Sequence, residues 1–262
     1  MTAEQELLFE RRGQVAWVTF NRPQARNAMT FAMYERLAEL SEVVNGDPSI
    51  RAVVLTGAGG KAFVAGTDIS QFKSFCTPED ALQYEARMDR VLGAFEGIQV
   101  PTIAAIAGPC TGGGAGIAAA CDLRLASPSA RFGFPIARTL GNTLSMGNFA
   151  SLVALLGPAR TKDLLFTARL LDAQEMLAVG LVSELTKDEE SLLPRAQELA
   201  GQLASHAPLT LRTTKEALRR IKQALLPEDG GSDLVVQAYM SKDFKEGVDA
   251  FLSKRKPEWR GE

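Results

Sequence analysis

The sequence predicts a mixed α/β fold, with strands and helices interleaved over the first two-thirds of the chain and helices alone in the last third. Three observations carry this expectation. Short apolar runs such as Arg51–Thr56 (RAVVLT) and Thr102–Ala107 (TIAAIA) read as buried strands. Segments with apolar residues at helical spacing stand between them. A glycine-rich stretch, Pro109–Ser127 (PCTGGGAGIAAACDLRLAS), leads from the last such strand into a helix of small residues.

In chain order, Gln14–Phe20 (QVAWVTF) alternates as a strand and ends at Asn21-Arg22-Pro23. Pro23–Met29 is a loop. Thr30 caps a helix running to about Asn45, with Phe31, Tyr34, Leu37, Leu40 and Val44 inward, and Gly46-Asp47-Pro48 stops it. Arg51–Thr56 is the second strand. Lys61–Ile69 (KAFVAGTDI) reads as an apolar strand broken by Gly66, the mark of a bulge or a close backbone approach. Phe72–Thr77 reads as a mobile connection. Pro78–Gly97 is an amphipathic helix with Leu82, Met88, Leu92 and Phe95 as core positions. Pro101–Gly108 is the third strand, and Asp122–Ala126 and Arg131–Pro135 are extended. Helical segments follow at 149–156, 161–166, 173–179, 190–205, 208–226 and 243–255. A shift in composition near residue 190 divides the chain into a core, residues 1–190, and a helical region, residues 191–262.

With 262 residues, the chain can bury a sizeable core. A net charge of −2 gives no global attraction to nucleic acid or anionic membrane, and no apolar run has the length of a span. The N-terminus lacks a basic region followed by an apolar one, so no secretory signal is expected. The three cysteines, Cys76, Cys110 and Cys121, fit no zinc spacing and read as reduced thiols of a cytoplasmic protein. Cys110 adjoins the glycine stretch, but the one histidine, His206, is far away in sequence, so a buried thiol is favoured over a nucleophile.

The glycine stretch is where chemistry is expected. A helix that begins on Gly112-Gly113-Gly114 begins with bare backbone whose first N–H groups lack helical partners. The macrodipole makes that end positive. It offers donors to a group that is negative, or that becomes negative during a reaction.

KAFVAGTDI and GPCTGGGAGIAAACDLRLAS together resemble the crotonase (enoyl-CoA hydratase/isomerase) superfamily. NRPQARNAM, ARLLDAQEMLAVGLVSEL and DFKEGVDAFLSKRKPEW are similar to further family segments, in family order. The resemblance implies a spiral of ββα turns with a C-terminal helical trimerisation region. It also implies an acyl-CoA substrate, no resident cofactor or metal, and a homotrimer or dimer of trimers. By motif position, the thioester oxygen would meet the N–H groups of Thr67 and Gly113. Arg26, Ala65, Asp68, Ile136, Arg138, Asn142, Phe251 and Lys254 fall at substrate-binding positions, Arg26, Lys254 and also Lys61 being cations for CoA phosphates.

The sequence departs from the family at the acid–base positions. Two glutamates handle proton and water in hydratases; the matching positions here are Gly116 and Ile136, or Ala137 if the local gap is placed differently. None moves a proton. Asp68 and Asp122 read as structural carboxylates. Arg138 reads as a pocket residue for an acyl carboxylate, or as a surface arginine. Asn142, Ser145 and Asn148 form a polar segment beside the expected pocket, and Tyr84 and Glu85 lie on the helix covering it. The expectation is a thioester-processing enzyme, a lyase or isomerase, with an atypical acid–base group. The alternative is a catalytically silent acyl-CoA-binding or scaffold protein.

Overall fold

The computed structural model describes residues 2–227 and 230–262. A short helix α1 (Ala3–Glu6) precedes β1 (Leu7–Arg12) and β2 (Val15–Phe20). Then come α2 (Phe31–Gly46), β3 (Ala52–Gly57), α3 (Pro78–Glu96), β4 (Thr102–Ile106), β5 (Pro109–Thr111) and α4 (Gly113–Ala120). The strands β6 (Leu123–Ala126) and β7 (Arg131–Gly133) are followed by α5 (Ile136–Thr139) and α6 (Met146–Thr167). β8 (Leu171–Asp172), α7 (Ala173–Ala178) and β9 (Glu184–Leu185) lead to four helices: α8 (Leu192–Ser205), α9 (Pro208–Gln223), α10 (Ser232–Tyr239) and α11 (Lys242–Leu252).

Six strands form one sheet in the order β1-β2-β3-β4-β6-β9, antiparallel only at β1-β2. A second sheet, β5-β7-β8, stands beside it. Side chains alternate along each strand, so the main sheet has two apolar faces. Val15, Trp17, Val54, Ile103 and Ala105 pack with Leu192, Ala196 and Ala200 of α8. Val18, Phe20, Val53, Leu55, Ala104 and Ile106 face a larger core shared with α2, α3 and α4. Burial on both faces is what the continuous apolar runs of parallel strands require.

Several elements differ from the sequence expectation. Lys61–Ile69 is not a strand: it contributes two isolated bridges, Val64 with Cys110 and Met29 with Thr67. At Gly66 (φ 114°) its backbone leaves the extended region, so the pairing passes from one neighbour to the other. Residues 72–77 are not a loose connection. Asp68 caps a 3₁₀ turn, Ile69–Ser74, whose Phe72 is buried against Tyr84, Tyr239 and Phe244. The two helical segments expected after Ser145 are both present within α6, parted by the non-helical Gly157 (φ 73°) before Pro158. β1, rich in charge because it is an edge strand, and α10 were not anticipated. Among the described residues, no helix is long and apolar enough to cross a membrane.

Candidate active site

Two loops meet over the larger core. The first is held by Asn27, whose buried amide donates to the carbonyls of Ala58 and Ala62 and accepts from the Arg22 N–H. Arg22 binds the Ala28 carbonyl at 2.6 Å and the Asp68 carboxylate at 3.2 Å. The Met29 N–H donates to the Gly66 carbonyl, and Asp68 N–H to that of Met29, which leaves the N–H of Thr67 between them pointing elsewhere. The second loop is the glycine turn. Gly112 takes φ 53°, and its N–H donates to the Gly133 carbonyl. Gly113 then opens α4 as its first residue. The loops touch: a Cβ on Gly112 would lie 3.6 Å from the Gly66 Cα. Neither the Thr67 N–H nor the Gly113 N–H has an acceptor among the described residues.

Both residues line a cavity of about 550 Å³. Its floor includes Ala65, Gly66, Gly112 and Gly116; Ile136, Thr139 and Asn142 form one wall; Tyr84, Glu85, Met88 and Leu92 of α3 form another. Arg26 and Phe251 stand among the lining residues, both with exposed side chains. Arg138 and Lys254 are exposed and lie outside the lining, as does Lys61.

Three hydroxyls gather above Gly113. The Tyr34 Oη is 2.9 Å from Thr67 Oγ1, which is 3.3 Å from Tyr84 Oη. Burial pushes the Tyr34 phenol up to about 12 and the Tyr84 phenol above its ordinary range, so both stay neutral. A Cβ on Gly113 would fall 1.9 Å from Tyr34 Oη, so that position has room only for hydrogen.

The α3 wall also carries a buried acid. Glu85 is 7% exposed, and its Oε1 accepts from Tyr239 Oη at 2.5 Å. Asn142 donates to the same Tyr239 Oη at 3.0 Å, and its own Oδ1 is buried without a partner. Burial raises the Glu85 carboxyl to about 7, with the Asp89 charge adding to the rise and Tyr239 and the Ser145 N–H opposing it. The sequence held a signal for this. Glu85 occupies a core position in the stripe Leu82, Met88, Leu92 and Phe95, where a carboxylate is out of place unless it has work or a partner. Tyr239 was missed because its short helix shows no periodicity in the sequence.

The other candidates resolve into structure. Asp68 caps its 3₁₀ turn; burial works against it, yet bonds from Ser70 and Arg22 hold its carboxyl below the usual range. Asp122 accepts from the Thr102 N–H and Oγ1 and from Lys215 Nζ, away from the cavity. Cys110 is buried beneath the glycine turn, and burial pushes its thiol up. His206 is the C-cap of α8. Asn148 donates to Ser145 Oγ, and its Oδ1 lies 2.9 Å from where a Cβ on Gly116 would sit. An amide thus fills the space a longer side chain at 116 would enter. Among the described residues, no three His, Cys, Asp or Glu side chains cluster to hold a metal ion.

The sequence model of the enoyl-CoA hydratase/isomerase family matches residues 10–262. The chain is 37% identical over 257 residues to a short-chain-enoyl-CoA hydratase of Clostridium acetobutylicum, covering 96% of each. It is 34% identical to a crotonyl-CoA hydratase of Syntrophomonas wolfei, covering 97% of each. Among solved structures, a methylmalonyl-CoA decarboxylase in complex with 2-nitronate-propionyl-CoA superposes with a TM-score of 0.89 at 27% identity, covering 98% of this chain and 99% of that one. An enoyl-CoA hydratase/carnitine racemase of Magnetospirillum magneticum shares 34% identity at a TM-score of 0.79, covering 98% and 96%. These matches span nearly the whole chain: the protein belongs to the enoyl-CoA hydratase/isomerase family, with the crotonase fold.

Proposed function

We propose that the protein is an enzyme that processes an acyl-CoA thioester through an enolate. The N–H groups of Thr67 and Gly113 hold the thioester oxygen as charge builds on it. The observation that carries this reading is the pair of unpartnered N–H groups, presented by two touching loops to one cavity. One is a helix N-terminus, where developing negative charge is favoured. A backbone donor of this kind contributes roughly 3 kcal/mol in the transition state. CoA arrives on the substrate, and no resident cofactor is required. Arg26 lies at the cavity's edge for the phosphates, Phe251 offers an apolar shelf, and Ala65 and Ile136 pack against the acyl group. The acyl-CoA ligand of the decarboxylase neighbour and the hydratase names of the relatives support the substrate class.

By the resemblance, the family's two glutamate positions hold Gly116 and either Ile136 or Ala137, which makes the acid–base group atypical for a hydratase. The test is infrared spectroscopy of bound butyryl-CoA labelled with ¹³C at the carbonyl, beside a crotonyl-CoA hydration assay. The carbonyl band moves to lower frequency if the two donors grip the oxygen. An unshifted band refutes the oxyanion reading, and a shifted band with no turnover of any thioester favours the silent binder.

We further propose that the helical region 191–262 drives self-association into a trimer or dimer of trimers. No residue of α9 is buried, and its Leu218 and Ile221 are 62% and 66% exposed. Sedimentation equilibrium checks this; a monomer at micromolar concentration refutes it. A cytoplasmic location fits the free thiols.

A further inference from the structure

We propose that Glu85 carries the proton in this enzyme, reaching the substrate from the α3 wall, with Tyr239 and Asn142 as its positioning residues. The proposal rests on the enolate reading above and says which group makes and unmakes the enolate. Among the described residues, two carboxylates line the cavity, Asp68 and Glu85. Asp68 is committed to Arg22 and Ser70. Glu85 stands in an apolar wall with Met88 and Leu92, under an aromatic cover of Phe72, Tyr84 and Tyr239. A lone carboxylate there is unfavourable unless hydrogen-bonded. Tyr239 supplies that bond, and Asn142 fixes Tyr239 by a second one. A chain of two hydrogen bonds from two different elements is a device for holding one carboxyl in one orientation.

Chemistry near neutral pH needs a group that exists in both protonation states there. The phenols of Tyr34, Tyr84 and Tyr239 are pushed upward and stay protonated. Glu85 is drawn to about 7 by burial. The titratable groups that face it are Asp89 on its own helix, whose charge is partly offset by Lys222 of α9, and the three neutral phenols of α2, α3 and α10.

The step balances without a redox partner. The Glu85 carboxylate takes the proton from the carbon next to the thioester. That C–H bond breaks, and its electron pair passes into the carbonyl oxygen held by the two N–H groups. The carboxylic acid then returns a proton to the same carbon or to another along the acyl chain. Addition of water uses the same group in turn: it accepts the proton of the attacking water and delivers one to the α-carbon.

The test is exchange of the α-protons of butyryl-CoA in D₂O, followed by NMR, with binding measured by calorimetry. Wild-type protein exchanges them. Glu85→Gln keeps the Tyr239 bond and binds butyryl-CoA, and its exchange falls at least about 100-fold, the usual contribution of a positioned acid–base group. Tyr239→Phe retains exchange, but its pH midpoint moves upward, because the lost bond favoured the charged carboxylate. Exchange at the wild-type rate in Glu85→Gln overturns the proposal while leaving the enolate reading standing, since the carbonyl band still reports the oxyanion contact. Absence of both exchange and band shift in the wild type removes the enolate reading and Glu85 with it. If Glu85→Gln does not fold, an unmoved pH midpoint in Tyr239→Phe overturns the assignment.

Discussion

An acid buried in an apolar wall leaves a mark on stability as well as on turnover, and Glu85→Gln exposes it. The Glu85 carboxyl ionises at about 7 in the fold against 4.5 as its ordinary value. Burial is the main cause, and at 7% exposure solvent screens it little. Because the folded-state value is raised, the folded protein binds the proton more tightly than the unfolded chain does. Stability is therefore greatest below about 4.5 from this group and falls as pH rises to about 7, after which the loss is complete. At 1.36 kcal/mol per pH unit the loss is on the order of 3 kcal/mol. Glutamine has no charge to bury and still accepts from Tyr239. Glu85→Gln should therefore gain on the wild type by about 3 kcal/mol between pH 4.5 and pH 8, roughly 6–12 °C in melting temperature for a domain of this size. The assay is urea denaturation of both proteins across that pH range, with the difference between them read at each pH so that other titrating groups cancel. Parallel curves would show that Glu85 is not held in a charge-hostile site, and the argument for its role would lose its electrostatic support.

Three further outcomes are expected. Gly113→Ala places a Cβ 1.9 Å from Tyr34 Oη and should cost about 1–3 kcal/mol by overpacking, part of which Tyr34→Phe recovers in the double variant; denaturation midpoints decide. Gly116→Glu must displace the Asn148 amide, 2.9 Å from the new Cβ, so Asn148→Ala should make Gly116→Glu better tolerated, with melting temperature as the readout. Asp122→Ala strips Thr102 of its acceptor and leaves Lys215 only the Val100 carbonyl; it should cost about 2 kcal/mol, without changing α-proton exchange, because Asp122 lies away from the cavity.

The backbone part of the site was legible in the sequence because glycine writes its own signature. GTD and TGGGAG each mark a place where the chain comes close to something, and the structure brings these two places together. The strands β2, β3, β4 and β6 were legible for a similar local reason, since each is a short apolar run between breakers. The side-chain part was harder. Glu85 is conspicuous only once α3 is known to turn that face inward, and its partners Tyr239 and Asn142 come from elements set by tertiary packing. The 3₁₀ turn at Ile69–Ser74 was misread as loose because six residues carry too little periodicity to show that Phe72 is anchored in an aromatic cluster. Arg138 was drawn toward the pocket by its position near Ile136, but the single turn of α5 sends it outward.

The bond between Glu85 and Tyr239 spans 154 residues. Glu85 is synthesised well before its partner, and the strands and helices that surround α3 can fold while α10 has yet to emerge. In that interval the Glu85 carboxyl lacks its Tyr239 bond. The same order applies in reverse: α10 is a short helix near the surface of the chain's last segment, the kind of element that opens locally before the sheet melts. If Glu85 carries the proton as proposed, loosening α10 disarms the acid while the sheet stands, and competence is lost before the fold is.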